Sequence, residues 1–184
     1  PSEFGKVEGD GGKGGYPHYM RKEIAEDPAA IANSIADLTE DSRFFDISIV
    51  LCQTYYIQIV ACGTAYHSGL AAKYAIEALS RVPVEVDIAS EYRYRDPIVP
   101  KGTLVIAVSQ SGETADTLAA AALAKERGAK VLALTNVPYS SLTALADFVL
   151  LTHAGRETAV AATKSFCAQL ASLYSIAAAL AALK

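Results

Sequence analysis

Short apolar runs alternate with segments of helical periodicity from residue 57 to residue 183. The runs are rich in Val, Ile and Leu and predict strands, whereas the segments between them carry apolar residues at helical spacing. The predicted strands span residues 57–61, 84–88, 103–108, 130–135 and 148–151, and the predicted helices span residues 64–80, 113–127, 141–146 and 163–183. Such alternation is typical of parallel βαβ units. We therefore predict an α/β fold, a three-layer α-β-α sandwich with a five-stranded parallel sheet.

The first third of the chain is less regular. Residues 1–15 are Gly-rich and polar, which predicts a flexible linker, and residues 16–184 are expected to form a single domain. Residues 19–38 have helical spacing, and the Asp27-Pro28 pair predicts that one helix ends there and another begins. Residues 44–56 are strongly apolar and aromatic, and they fit either an extra edge strand or a helix.

Charge and composition argue against several classes of function. The formal net charge is −4 and no basic stripe is visible, so nucleic-acid binding is not expected. No apolar run is predicted to be long enough to span a bilayer, and residues 1–15 lack the apolar stretch of a secretory signal. Cys52, Cys62 and Cys167 are far apart, which indicates a reduced cytoplasmic protein with buried thiols. No metal-ligand spacing occurs, so neither a metal nor a cofactor is predicted.

The turn after the third predicted strand is the most informative stretch for function. Residues 109–114 read Ser-Gln-Ser-Gly-Glu-Thr and lead into a helix. The free N–H groups and the dipole at a helix N-terminus favour an anion. Ser109, Ser111 and Thr114 add hydroxyl donors, and Gly112 permits a positive φ or a close backbone approach. The turn therefore predicts a phosphate site built from neutral donors.

A simpler interpretation of this turn is that Ser111 only caps the following helix. Four polar donors within six residues, directly after a buried strand, favour the phosphate site. Glu113 is expected to interact with the helix dipole rather than to act as a base. Neither G-x-x-x-x-G-K-[ST] nor a G-x-G-x-x-G that follows a strand is present, so a sugar phosphate fits this chain better than a nucleotide.

Two further turns should lie at the same edge, because parallel sheets bind ligands outside the carboxyl ends of their strands. Thr64 begins a predicted helix and could either cap it or contact a ligand, whereas Thr163 is expected at or near the cap of the last helix. Lys164 could be a catalytic amine, but a surface or structural role is favoured. Cys62 is expected to be a buried thiol rather than a nucleophile. Residues 91–95 could contact a ligand or pack on the sheet or at a subunit interface.

Five segments together resemble the sugar isomerase (SIS) family, and in particular the isomerase region of the glucosamine-6-phosphate synthases. These segments are residues 16–24, 61–66, 89–95, 109–116 and 160–164. The resemblance extends over nearly the whole chain from about residue 13, and it implies the flavodoxin-like SIS fold. The family enzymes carry two SIS subdomains in tandem, and this chain resembles the first of them.

The resemblance also implies roles for individual residues. The substrate-binding residues that it implies are Thr64, Ala65, Ser109, Gln110, Ser111, Thr114, Val160 and Ala162. The four residues of the serine-rich turn would hold the phosphate, whereas Thr64 and the backbone of Val160 would contact the sugar. Family members usually have serine at the positions of Ala65 and Ala162. No catalytic residue is implied for this chain.

The function implied by the resemblance is binding of fructose 6-phosphate or glucosamine 6-phosphate in hexosamine biosynthesis, as a homodimer. Catalysis by this chain alone is expected to be incomplete, because the acid–base groups belong mainly to the second subdomain and ammonia comes from a glutaminase domain. One alternative is a stand-alone SIS isomerase or amino-sugar-phosphate deaminase that uses Glu113 or Lys164. Another is a sensor that binds a sugar phosphate without turnover.

Overall fold

The computed structural model describes residues 12–40 and 43–184, so residues 1–11 of the predicted linker lie outside the described part of the chain. The helices are α1 (Tyr19–Ala25), α2 (Asp27–Glu40), α3 (Arg43–Gln53), α4 (Gly63–Ser80), α5 (Ala89–Tyr94), α6 (Ala115–Glu126), α7 (Ser141–Leu145) and α8 (Lys164–Leu183). The strands are β1 (Tyr56–Ala61), β2 (Val84–Ile88), β3 (Thr103–Ser109), β4 (Lys130–Thr135) and β5 (Phe148–Leu151).

The five strands form one parallel sheet in the order β2-β1-β3-β4-β5. Each predicted strand agrees with an observed one to within one residue at either end. β3 is buried along its whole length, as its continuous run of apolar residues indicates. The predicted fold class is therefore confirmed, and so is the break between α1 and α2 at Asp27.

Helices cover both faces of the sheet and give it two different cores. On one face, α3, α4 and α8 pack on Ile, Leu and Val side chains of all five strands. On the other face, α6 packs through Ala120, Ala121 and Ala124, whereas α5 and α7 contribute the larger Tyr92 and Leu142. β3 ends at Ser109 and α6 begins at Ala115, so the short serine-rich turn keeps the start of α6 close to the end of β3.

Two details differ from the sequence-based expectations, and one alternative that the sequence left open is decided. Residues 44–53 belong to α3, so the helix is the correct alternative for most of residues 44–56, and β1 begins at Tyr56. The helix after β3 begins at Ala115 rather than at Glu113. Among the described residues, α8 is long and apolar enough to cross a membrane, so the expectation that no such run exists was wrong; in this fold the helix packs on α4 and α2.

The chain order of the strands determines where a ligand can bind. From β1 the chain passes to β2 at one edge, and it then returns to β3 on the other side of β1. β1 and β3 are neighbours, and the connections that follow them leave on opposite faces of the sheet. A crevice opens at such a switch point, outside the carboxyl ends of the two strands. The turns at residues 62–65 and 109–114 lie there.

Candidate functional site

The predicted ligand residues surround one cleft at this switch point. The cleft has a volume of about 320 Å³. Its lining includes all eight predicted binding residues, namely Thr64, Ala65, Ser109, Gln110, Ser111, Thr114, Val160 and Ala162. The rest of its lining is Cys62, Val108, Glu157, Ala159, Ser165 and Gln169. The fold thus brings three distant segments together, whereas the binding role of each residue stays a prediction.

The serine-rich turn is ordered by hydrogen bonds among its own residues. Ser109 is buried, with 3% of its surface exposed. Its hydroxyl accepts the N–H of Gly112 at 3.1 Å and lies 2.9 Å from the Thr114 hydroxyl oxygen. The Ser111 hydroxyl accepts the N–H of Glu113 at 3.2 Å. Because Ser111 uses a lone pair in this bond, its O–H hydrogen can still be donated into the cleft. The turn is therefore organised before any ligand binds.

The same turn is also fixed from outside, by the start of α7. Gly112 has a φ of +68°, and its carbonyl accepts the N–H of Leu142 at 3.0 Å. A Cβ at this position would lie 2.1 Å from the Ser140 hydroxyl oxygen. Only glycine fits here, because the backbone has a positive φ and there is no space for a side chain. The positive φ predicted as one reason for glycine at this position agrees with the geometry.

The helix that follows the turn is not capped as the simpler interpretation requires. Thr114, not Ser111, is the N-cap residue of α6, and its side chain makes no capping hydrogen bond. The first N–H groups of α6 have no partner within the helix, as at any helix start. The Glu113 carboxylate accepts the N–H of Ser141 at 2.7 Å, which lowers the pKa of Glu113. The expected interaction of Glu113 with its own helix is therefore wrong, since it contacts α7.

The opposite wall of the cleft is a loop, residues 157–163, that leads into α8. The Glu157 carboxylate accepts the N–H groups of Thr163 at 2.9 Å and of Ser165 at 3.3 Å, together with the Ser165 hydroxyl. It therefore occupies the position at the start of α8 that would favour an anion. Sequence reasoning missed Glu157, because an acid six residues before a helix start follows no helical or strand spacing.

Lys164 is neither a surface cation nor a group that lines the cleft. The residue is 4% exposed, and its ammonium nitrogen lies 2.7 Å from a Glu26 carboxylate oxygen. Thr163 is the N-cap residue of α8 but makes no side-chain capping bond, since its hydroxyl instead lies 3.4 Å from the Glu157 carboxylate. Of the two favoured alternatives, the surface position is wrong and the structural role agrees with the buried ion pair, because α2 and the residue that precedes it cover the start of α8.

The remaining residues considered from the sequence have mainly packing roles. Tyr92 of α5 is fully buried and donates its hydroxyl to the Gln58 side chain at 2.9 Å, and burial raises the pKa of Tyr92 to about 12. Within residues 91–95, Tyr92 is the residue that packs on the sheet, and the other four are exposed. Cys62 is half-buried at the start of α4. Cys52 is exposed, so the expectation of buried thiols fails at that position.

The electrostatics of the cleft favour binding over acid–base chemistry. Among the described residues, no lysine, arginine or histidine lines it, and Glu157 is its one carboxylate. That carboxylate already accepts several hydrogen bonds from the start of α8. The serine-rich turn offers neutral hydroxyl and N–H donors, which form charge-assisted bonds to a phosphate worth about 1.5–3 kcal/mol each. The arrangement can hold a phosphorylated ligand in a fixed orientation.

A wider and more apolar groove adjoins the cleft. It has a volume of about 970 Å³ and shares Gln110 and Glu157 with the cleft. Pro138 and Tyr139 are part of its lining, and Tyr139 is 93% exposed. Most of the surface that lines this groove is apolar, whereas most of the surface that lines the smaller cleft is polar, so the smaller cleft is the better candidate for a phosphate.

A protein-family comparison agrees with the fold and with the location of the cleft. The family model described as SIS domain matches residues 51–179. This range covers more than half of the chain, including both wall segments of the cleft, and it excludes α1 and α2.

Comparisons with individual proteins identify longer relatives. A glutamine–fructose-6-phosphate aminotransferase (isomerizing) of Clostridium tetani is 53% identical over 171 residues, which is 90% of this chain and 28% of that protein. The C-terminal domain of a glucosamine-fructose-6-phosphate aminotransferase from Francisella tularensis superposes with a TM-score of 0.88 at 43% identity, over 94% of this chain and 50% of that one. A glucosamine-6-phosphate deaminase from Thermotoga maritima superposes with a TM-score of 0.66 at 26% identity, over 83% and 49% of the two chains. The chain thus spans about 28% of the length of the first curated relative and is homologous to the isomerase region of such enzymes.

Proposed function

The chain belongs to the SIS domain family, and from this premise we propose that its cleft binds fructose 6-phosphate or glucosamine 6-phosphate. The observation that carries the proposal is the ordered turn of residues 109–114 beside a cleft of about 320 Å³. The phosphate would accept hydrogen bonds from the Ser111 hydroxyl and from the start of α6. The sugar would extend toward Thr64 and the loop of residues 157–163.

The chemistry of this cleft accounts for a binding role in a larger enzyme. Conversion of a ketose phosphate into an amino sugar phosphate needs ring opening and a proton transfer between C1 and C2, which requires a positioned acid and base. The described lining supplies donors that orient the substrate but no lysine or histidine that could supply the proton. We propose that a second SIS subdomain contributes those groups and that a glutaminase domain contributes ammonia.

The assembly and location of the protein form part of the same proposal. Homologous enzymes are longer than this chain, so the whole activity would require segments beyond the SIS domain described above. We propose a homodimer in the cytoplasm, within hexosamine biosynthesis. The net charge of −4 supports a small-molecule ligand over a nucleic acid.

Calorimetry of the 184-residue chain tests the binding proposal. Fructose 6-phosphate, glucosamine 6-phosphate and inorganic phosphate are expected to bind, and free fructose is not. Ser111→Ala removes one charge-assisted donor and should weaken binding of all three phosphates by about tenfold or more. Ser175→Ala, which removes a hydroxyl that bonds within α8, is the matched control and should bind as the unchanged chain does.

A turnover assay separates this proposal from a stand-alone isomerase or deaminase. The 184-residue chain should neither interconvert hexose 6-phosphates nor release ammonia from glucosamine 6-phosphate. Turnover would favour the stand-alone enzyme, a possibility consistent with the fold similarity to the Thermotoga maritima deaminase. Absence of any phosphate binding in calorimetry would contradict the proposed function itself.

A further inference from the structure

Glu23 of α1 is buried against the loop that forms the sugar side of the cleft. It is 2% exposed, and its carboxylate accepts the N–H of Thr158 at 2.6 Å and the N–H of Ala159 at 3.1 and 3.2 Å. We propose that Glu23 is a positioning residue that sets the conformation of this loop and thereby the affinity for the sugar part of the ligand. The inference deepens the proposed function and rests on it.

The burial pattern of α1 indicates that the helix is attached to the rest of the fold mainly through Glu23. Glu23 is the one residue of α1 that is buried, whereas Met20 and Ile24 are 44% and 49% exposed. A short helix that served only to extend the core would bury its apolar residues and expose its acids. Here the apolar residues are exposed, and the helix attaches through a carboxylate that bonds to backbone N–H groups.

The loop needs such an external partner. Residues 157–163 contain no strand or helix, so their N–H groups have no regular ladder to join. Glu23 bonds the beginning of the loop, and Glu157 bonds its end at Thr163 and Ser165. The two carboxylates therefore bracket the short stretch in which Val160 and Ala162 line the cleft.

A second contact from the same end of α1 supports the assignment. Glu26, which directly follows α1, lies 2.7 Å from the buried ammonium of Lys164 at the start of α8. Lys22 lies 3.7 Å from the other oxygen of Glu26. One turn of chain thus fixes both the loop and the helix that the loop enters. Among the described residues, the serine-rich turn bonds within itself, to Thr135 and Asn136 after β4 and to the start of α7, and no such bond joins it to α1.

The test compares the affinity for a sugar phosphate with the affinity for inorganic phosphate, so that an effect on the sugar side can be told from one on the phosphate side. Glu23→Gln keeps the shape of the side chain but removes its charge and turns one acceptor into a donor that faces N–H groups. We expect affinity for fructose 6-phosphate to fall about tenfold while affinity for inorganic phosphate changes less than about twofold. Glu23→Asp keeps the charge on a shorter side chain and should recover part of the loss. Glu126→Gln, which removes an exposed carboxylate at the end of α6, is the control and should leave both affinities unchanged.

Amide hydrogen exchange supplies a readout that needs no ligand. In Glu23→Gln, the N–H groups of Thr158 and Ala159 should exchange at least about tenfold faster, while the amides of β3 stay protected. Equal loss of phosphate and sugar-phosphate affinity, or unchanged affinity for both, would overturn the inference. If the unchanged chain binds no phosphate at all, the proposed function fails. In that event, unchanged amide exchange at Thr158 and Ala159 in Glu23→Gln would overturn the role of Glu23. Faster exchange at these amides would support the conclusion that Glu23 fixes the conformation of the loop.

Discussion

The two walls of the cleft are built in opposite ways. The turn of residues 109–114 is ordered by bonds within itself, such as those of Ser109 to Gly112 and Ser111 to Glu113. The loop of residues 157–163 depends on Glu23, which lies 135 residues before Thr158 in the chain. The turn also bonds to Thr135, Asn136 and the start of α7, which are much closer to it in sequence than Glu23 is to Thr158, so the sugar side depends on the more distant contact. Substitutions that affect the two walls separately can test this contrast.

The largest effect is expected at Gly112, where the turn leaves no space for a side chain. Gly112→Ala forces an L-residue to a φ of +68° and places a Cβ 2.1 Å from the Ser140 hydroxyl oxygen. Strain and overlap together should lower the free energy of unfolding by about 4 kcal/mol and abolish phosphate binding. Urea unfolding and calorimetry measure the two effects.

The control for that change is Gly128→Ala. Gly128 also has a positive φ, of +89°, but a Cβ there meets nothing within 4 Å. Its cost should be limited to about 1 kcal/mol of backbone strain, with binding preserved. A similar loss of stability in both variants would show that the contact with Ser140 contributes little.

A smaller effect on the free energy of unfolding is expected at the start of α8, next to the loop of residues 157–163. Glu26→Gln leaves the ammonium of Lys164, which is 4% exposed, without its charged partner. Breaking a fully buried pair costs about 3–5 kcal/mol, and because the Glu26 side chain is 37% exposed we expect about 2 kcal/mol in urea unfolding. Inorganic phosphate should still bind within about twofold, since the turn does not involve α1.

Asp116→Asn provides the matched comparison. Asp116 pairs with Arg93 at 3.0 Å, and both side chains are exposed to a similar degree, 40% and 35%. Such surface pairs contribute less than about 1 kcal/mol. If Glu26→Gln proves as mild as Asp116→Asn, the ion pair with Lys164 does not stabilise the start of α8.

The smallest effects should come from adding hydroxyls to the lining of the cleft. Ala65→Ser adds a donor at the start of α4, where the family resemblance implies a serine that contacts the phosphate, and Ala162→Ser adds one in the loop of residues 157–163, where it implies a contact with the sugar. Each new hydrogen bond to the ligand is worth about 1 kcal/mol, or roughly a fivefold gain in affinity. Ala65→Ser should strengthen binding of inorganic phosphate and fructose 6-phosphate alike, whereas Ala162→Ser should strengthen only the sugar phosphate.

Val160→Ala is the control for the loop substitutions. The Val160 side chain is fully exposed, and the contact with the sugar expected for this residue is through its backbone. Shortening the side chain should change calorimetric affinities by less than about twofold. A larger loss would mean that the side chain itself contacts the ligand.

The sequence predicts best what depends on local pattern and on the regular geometry of sheets. The strands were predicted to within a residue because buried parallel strands are continuously apolar. Residues from three turns could be assigned to one cleft because the carboxyl ends of parallel strands share an edge. The binding roles of those residues stay predictions.

The features that sequence reasoning missed depend on single contacts between distant residues. Glu23 and Glu157 are ordinary acids in the sequence, and a carboxylate that accepts backbone N–H groups has no characteristic spacing. The choice between a surface and a structural role for Lys164 stays open from the sequence, because nothing near it in sequence reveals that Glu26 covers it. Residues 44–56 were ambiguous because α3 and β1 are both apolar and only two residues separate them.

The distance in sequence between Glu23 and Thr158 has a consequence for the time at which the cleft is completed. During synthesis from the N-terminus, α1 emerges more than one hundred residues before the amides to which it binds. The serine-rich turn and its partners at the start of α7 are all present once residue 142 has been made. Contacts between distant residues also carry the larger entropic cost of closure and tend to form late. We therefore expect the nascent chain to order the turn of residues 109–114 before the loop of residues 157–163, so that the sugar selectivity proposed for this loop would be the last property of the cleft to mature.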